Sequence, residues 1–215
     1  MQLLIATGNK GKRREFQQLI GDSLPADAQV TLVLPVDIGL DTMDVVEDGD
    51  TLEANALLKA RAYAQASGLY ALADDSGLYV DALDGRPGIY AARYGGPELD
   101  EGGRRRKLLG ELQDVPADQR TARFECVIAL TNPTTMESVT VHGICPGKIA
   151  DSERGNNGFG YDPIFIPDVE NGEALTFGEI ADQDEVRKNT LSHRGDAGRK
   201  ILPVLIRLAR GLNEG

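Results

Sequence analysis

The chain has 215 residues, with 23 Lys and Arg against 34 Asp and Glu, so it carries a formal charge of −11 at pH 7. A hydrophobic share of 41% and a charged share of 27%, with no apolar run near the ~18 residues of a bilayer crossing, exclude the disordered and membrane-spanning classes, and the acidity argues against a nucleic-acid polymer as partner. Two cysteines, two histidines and no tryptophan exclude a disulfide framework, a zinc site of several thiolates or histidines and most aromatic stacking platforms; a small phosphorylated ligand stays compatible.

No repeat, low-complexity tract or linker divides the sequence, which predicts a single domain over residues 1–215. The first seven residues lack the basic start and long apolar stretch of a secretory signal, so a cytoplasmic location is expected. Residues 2–7 read as a buried strand, 8–11 as a turn and 12–20 as a helix whose Phe16, Leu19 and Ile20 fall on one face. A short strand at 30–34 precedes an acidic stretch, 37–50. Asp50 and Glu53 then have the spacing of a capping box at the head of a helix that stops at Gly68. On its apolar side, Asn55 and Lys59 stand one turn apart beside Leu52, Ala56 and Tyr63. Lys59 either snorkels with its stem on the core or aims into a cleft.

A strand at 70–73 is expected to end at Asp74-Asp75-Ser76-Gly77, and a glycine-rich span at 85–96 leads to a helix near 98–113. The run Arg104-Arg105-Arg106-Lys107 in that helix reads as a solvated face. Ala122, Phe124, Cys126, Ile128 and Leu130 alternate onto one face of a strand, and Asn132-Pro133-Thr134 turns it into a hairpin with 138–144. Cys126 and Cys145 read as buried thiols. Ser192 can cap a final helix carrying Ile201, Leu205, Leu208 and Leu212, which Pro203 must kink or restart.

Four stretches carry chemistry. Thr7-Gly8-Asn9-Lys10-Gly11-Lys12 joins a strand to a helix, and its glycines and lysines suit a phosphate chain, although the spacing is neither that of a Walker loop nor that of a dinucleotide fingerprint. In Asp74-Asp75 the adjacent carboxylates repel, and in extended chain they point oppositely, so one suits a metal or an attacking water and the other a basic partner; Glu47 and Asp48 offer further hard oxygens for Mg²⁺. Phe159-Gly160-Tyr161-Asp162 can lay a ring against a base and read its edge with backbone groups, or its rings can plug the core. Lys188, His193 and Arg194 can bind phosphate or carbonyl oxygens, or simply begin a helix with surface charges.

In order and chemistry these stretches, with Glu53-Ala54-Asn55-Ala56, Lys59-Ala60 and Gly88-Ile89-Tyr90-Ala91-Ala92-Arg93-Tyr94, resemble the inosine/xanthosine triphosphate pyrophosphatase family from Met1 almost to the C-terminus. The resemblance implies an Mg²⁺-dependent hydrolase that splits noncanonical purine triphosphates (ITP, dITP, XTP) at the α-phosphorus, giving monophosphate and pyrophosphate. It also implies a homodimer. Carried over by position, Thr7, Gly8, Asn9, Lys10, Gly11 and Lys12 bind the triphosphate together with Lys59. Asp75 is the catalytic acid and, with Glu47, the metal ligand; Ser76 adjoins the substrate. Phe159, Gly160, Tyr161, Asp162, Lys188, His193 and Arg194 surround the base. The expected architecture is a three-layer α/β domain with a long mixed sheet and two lobes flanking a substrate cleft. The rival reading is a purine-nucleotide-binding regulator that lacks turnover.

Overall fold

A computed structural model describes residues 1–169 and 172–213. Its strands are β1 (Gln2–Ile5), β2 (Thr31–Val33), β3 (Tyr70–Val80), β4 (Pro87–Gly88), β5 (Thr121–Thr131), β6 (Ser138–Ile149) and β7 (Phe165–Pro167). The α-helices among the described residues are α1 (Lys10–Phe16), α2 (Leu52–Ser67), α3 (Glu101–Glu111), α4 (Phe177–Gln183), α5 (Glu185–Leu191) and α6 (His193–Asn213). The strand order is β2-β1-β3-β5-β6-β7, with β4 beside β3. Because β1 runs parallel to β2 and β3 while β4 and β7 are antiparallel to β3 and β6, the sheet is mixed, and the α/β class expected from the sequence is what forms. No helix among the described residues is long and apolar enough to cross a membrane.

The chain groups into two compact units, one of Met1–Asp75, Cys126–Gly143 and Arg194–Gly215, the other of Ser76–Glu125 and Ile144–His193. In the first, Leu3, Ile5, Phe16, Ile20, Leu72, Cys126, Ile128, Ile201 and Leu205 make one apolar core. In the second, Leu78, Val80, Leu108, Leu112, Phe124, Phe165 and Phe177 do so, and the Phe124 and Phe165 rings lie 4.6 Å apart. Each such side chain contributes ~1.5–3 kcal/mol on burial.

Local chemistry moves several boundaries from those expected. Helix α1 begins at Lys10, two residues early, because the Asn9 side chain accepts the Lys12 N–H and caps it. The cap of α2 is Thr51, whose Oγ1 accepts the Ala54 N–H at 3.0 Å; Asp50 does not supply it. Gly68 ends the same helix in the left-handed region, as anticipated. Strand β3 does not stop at the acidic pair but runs through it, since β1 pairs with its first half and β4 with Leu78 and Tyr79. Gly77 permits that second pairing: a Cβ there would meet the Gly88 carbonyl oxygen at 2.7 Å. Strand β5 buries both faces beyond Cys126, including Val127 and Ala129. Helix α6 continues through Pro203 without a restart, and its apolar stripe buries Ile201 and Leu205. The side chain of Leu212, expected on that stripe, lies outside the described residues.

Candidate active site

Alternation along β3 sends Asp74 and Asp75 to opposite sides, and each has its own set of partners. Asp74 is buried. Its Oδ2 lies 2.9 Å from Lys12 Nζ and 3.1 Å from Arg194 Nε, and the Cys126 thiol faces the same oxygen at 3.9 Å. Arg194, only 2% exposed, also donates through Nη1 to Glu15, another buried carboxylate. Two cations thus meet two anions within the first unit. Burial alone would raise the Asp74 pKa, but the charges of Lys12 and Arg194 outweigh it and hold the group well below the usual carboxylate range. Asp74 Oδ1 is buried and accepts no hydrogen bond from the described residues.

Asp75 faces α2. Asn55 donates through Nδ2 to Asp75 Oδ2 at 3.1 Å and accepts the Gly49 N–H at 2.9 Å, tying the acidic stretch to the strand. Lys59 Nζ lies 3.0 Å from Glu47 Oε1 and 3.6 Å from Asp75 Oδ1. Burial lowers the lysine's pKa, but Asp75, Asp74 and Glu47 overcome it, so the ammonium is held more firmly than in water. For Asp75 the balance is reversed: burial, assisted by Glu47, outweighs Lys59 and Lys12, and the carboxyl's pKa rises above its ordinary value. Neighbouring acids in one strand therefore differ in proton affinity because their partners differ.

A second group of polar residues forms in the other unit. Lys188 Nζ lies 2.9 Å from Asp162 Oδ2 and 5.1 Å from the centre of the Phe159 ring. The same Asp162 oxygen accepts the Phe159 N–H at 2.9 Å. That contact needs a glycine at 158, where φ is +93° and a Cβ would strike the Asp162 carboxylate. His193 stacks on Phe124 with ring centres 4.6 Å apart.

The chain matches the sequence model of the Ham1 family over residues 3–204. It belongs to the Ham1 family. A dITP/XTP pyrophosphatase of Leifsonia xyli is 44% identical to it over 210 residues, covering 98% of each chain. A HAM1 protein of Coxiella burnetii matches with a TM-score of 0.77 at 36% identity over 100% of both chains. A structure titled nucleoside-triphosphatase / dITP/XTP pyrophosphatase from Mycobacterium abscessus matches with a TM-score of 0.71 at 39% identity, covering 95% of this chain and 100% of its own.

In this Ham1 chain Lys12, Lys59, Glu47 and Asp75 lie in one unit. Lys59 does not reach out to solvent: its side chain is 12% exposed and its ammonium meets carboxylates. Gly8, Asn9 and Lys10 lie at the surface around the start of α1, with Thr7, Gly11 and Lys12 half-buried. Thr7 Oγ1 accepts the Asn9 N–H, and Asn9 Oδ1 occupies the Lys12 N–H, so that amide is not open to an anion. Ser76 follows on β3, half-buried.

Three expectations need correction. Arg194 was grouped with His193 at the base, but its Nε and Nη1 are committed to Asp74 and Glu15. The ring of Tyr161 fills the core and its hydroxyl donates to Ala91 O at 2.9 Å, so of the two loop aromatics Phe159 alone presents its ring beside Lys188. Arg105 leaves the solvated face assigned to it: its side chain is 16% exposed, against 72% for Arg106, and Nη1 donates to Gly160 O at 2.7 Å.

Sequence reasoning missed Glu15, Glu101 and Arg105. Glu15 stands one turn after Lys12 and one before Leu19, so helical spacing alone places it on the side of α1 that meets Asp74.

Whether the residues suit Mg²⁺ is decided by donor chemistry. Glu47 and Asp75 are hard-oxygen donors that converge on one ammonium, so the pair exceeds its neutralising charge by one. Among the described residues no three His, Cys, Asp or Glu side chains converge into a complete cage. Mg²⁺ commonly binds through one or two carboxylates and takes its other ligands from water and phosphate. The residues fit that mode.

Proposed function

We propose that this chain hydrolyses noncanonical purine nucleoside triphosphates, ITP, dITP and XTP, to the monophosphate and pyrophosphate. The observation that carries the reading is the division of labour on β3: Asp74 bound to Lys12, and Asp75 facing Lys59 and Glu47. Relatives of near-full-length similarity that are named dITP/XTP pyrophosphatases support the same substrate class.

Lys12 and Lys59 neutralise the triphosphate, with Thr7 to Gly11 around it. Asp75 takes the proton from water as the oxygen bonds to the α-phosphorus; the bond from that phosphorus to the bridging oxygen breaks, and pyrophosphate leaves with the electron pair. Asp74 is the poorer base, because Lys12 and Arg194 stabilise its ionised form. Glu47 and Asp75 would hold Mg²⁺, which supplies further charge neutralisation on the phosphate oxygens. Positioning and charge carry such a reaction without a covalent nucleophile.

Selectivity follows from the 6-oxo group of hypoxanthine and xanthine, an acceptor where adenine has an amino donor. Lys188 beside the Phe159 ring is a donor, and a donor facing a donor in a buried site is heavily penalised. The whole chain works as one catalytic domain in the cytoplasm, and as a homodimer, which light scattering on the eluting peak tests.

The deciding experiment is pyrophosphate release with Mg²⁺ from ITP, dITP, XTP, GTP and ATP. We expect the noncanonical substrates to lead ATP by about a hundredfold or more in kcat/KM. Asp75→Asn should lower kcat by roughly 10²–10⁴ with KM little changed. Equal rates on ITP and ATP, or tight ITP binding without turnover, would overturn the proposal.

A further inference from the structure

The loop that carries Phe159 is held mainly by its backbone, and much of the hold comes from α3. Glu101, in the first turn of that helix, accepts the Gly160 N–H through Oε2 at 2.8 Å. Arg105, four residues on and so on the same helix face, donates Nη1 to the Gly160 carbonyl at 2.7 Å. Glu153 flanks Arg105, with Oε2 3.0 Å from its Nε. A charged acceptor and a charged donor thus occupy both polar backbone groups of one glycine, itself in the left-handed region at φ +60°. Further along, Asp182 of α4 accepts the N–H groups of Asn156 and Asn157 at 2.9 and 3.0 Å, and Asp162 accepts that of Phe159. Carboxylates therefore fix the loop amide by amide on either side of its exposed tip, and the ring of Phe159 inherits its position from them.

We propose that Glu101 and Arg105 are positioning residues that hold the Phe159–Asp162 loop in the conformation that distinguishes purine bases. The inference rests on the function proposed above, and it concerns selectivity rather than the chemical step, because among the described residues the partners of Lys12, Asp74, Asp75 and Lys59 come from elements other than α3. Arg105 sits in a run of four basic residues that looks uniform in the sequence; its neighbour Arg106 is largely exposed and supplies the internal control.

The test uses the full chain and the variants Arg105→Ala, Arg105→Lys, Glu101→Gln and Arg106→Ala, assayed for kcat and KM on ITP and ATP. Loss of one charge-assisted hydrogen bond should raise KM for ITP about tenfold and lower the ITP-to-ATP ratio of kcat/KM by a similar factor. The kcat for ITP should stay within about twofold of the parent. Arg105→Lys, which keeps a charged donor, should recover part of the ratio, and Arg106→Ala should match the parent. Should Arg105→Ala fail to fold, the isosteric Glu101→Gln decides. An unchanged ratio in that variant, or a fall in kcat at constant KM, would overturn the proposal. Amide exchange supplies a readout independent of substrate: the Gly160 N–H should exchange about tenfold faster in Glu101→Gln, and unchanged protection would also overturn it. A parent enzyme with no preference for ITP would defeat the proposed function instead, while the exchange result would still judge the anchoring.

Discussion

Arg194 illustrates how a buried charge is tolerated and what its removal should cost. Its guanidinium meets Asp74 and Glu15, and those carboxylates hold its pKa above the ordinary arginine value in spite of burial. Arg194→Ala would remove the buried cation that meets both acids, so we expect a loss of about 3–5 kcal/mol in urea unfolding. A loss below about 1 kcal/mol would show that the pairs contribute little. Cys126 carries a pH signature. Burial and the nearby Asp74 charge push its thiol up to about 12 from 9.0. The neutral thiol is favoured in the fold, so its contribution is complete below about pH 9 and is lost as pH rises toward 12. Urea midpoints should therefore fall over that alkaline range, and less steeply in Cys126→Ala. Tyr94 and Tyr161 shift in the same direction, which is why a residual slope should persist in that variant. Identical slopes would remove Cys126 from the account.

At the scale of elements, capping and pairing set where functional side chains stand. Thr51 begins α2, and the turns that follow bring Asn55 and Lys59 to the same side, against Asp75. Because Thr51 Oγ1 satisfies an amide that otherwise lacks a helical partner, Thr51→Ala should cost ~1 kcal/mol in thermal or urea unfolding. Asp50→Ala should cost almost nothing, since the cap lies one residue later. Comparable losses from both would restore Asp50 to the cap. Strand β3 makes the parallel point: two adjacent acids sit inside a strand rather than in a turn because opposite faces provide each with a cation. Helix α3 shows the converse, with one sequence of like charges divided between an anchoring Arg105 and the exposed Arg106 and Lys107.

For the molecule as a whole, a charge of −11 repels polyanions except where basic groups are gathered. The four-residue basic run on α3 is too small and too well paired to reverse this, with Arg105 on Glu153 and Lys107 on Glu111. Labelled duplex DNA or single-stranded RNA should therefore show no mobility shift at micromolar protein in ~0.15 M salt, where non-specific binding depends on many phosphate contacts. A salt-dependent shift abolished by Arg106→Ala would reveal a nucleic-acid face that the charge distribution argues against.

The sequence by itself determined the strand, turn and helix at the N-terminus, the run of α2 to Gly68, the hairpin of β5 and β6, and the candidates Lys12, Lys59, Asp75 and Glu47. Those readings rest on local periods, caps and motif order, which are short-range properties of a chain. Only the tertiary structure decided which charges pair. Arg194 finds Asp74 and Glu15 across separations of 120 and 179 residues, and Arg105 finds Gly160 across 55. Such partners are chosen because a buried ion must be neutralised by whatever the fold brings within about 3 Å, and no spacing along the chain encodes that distance.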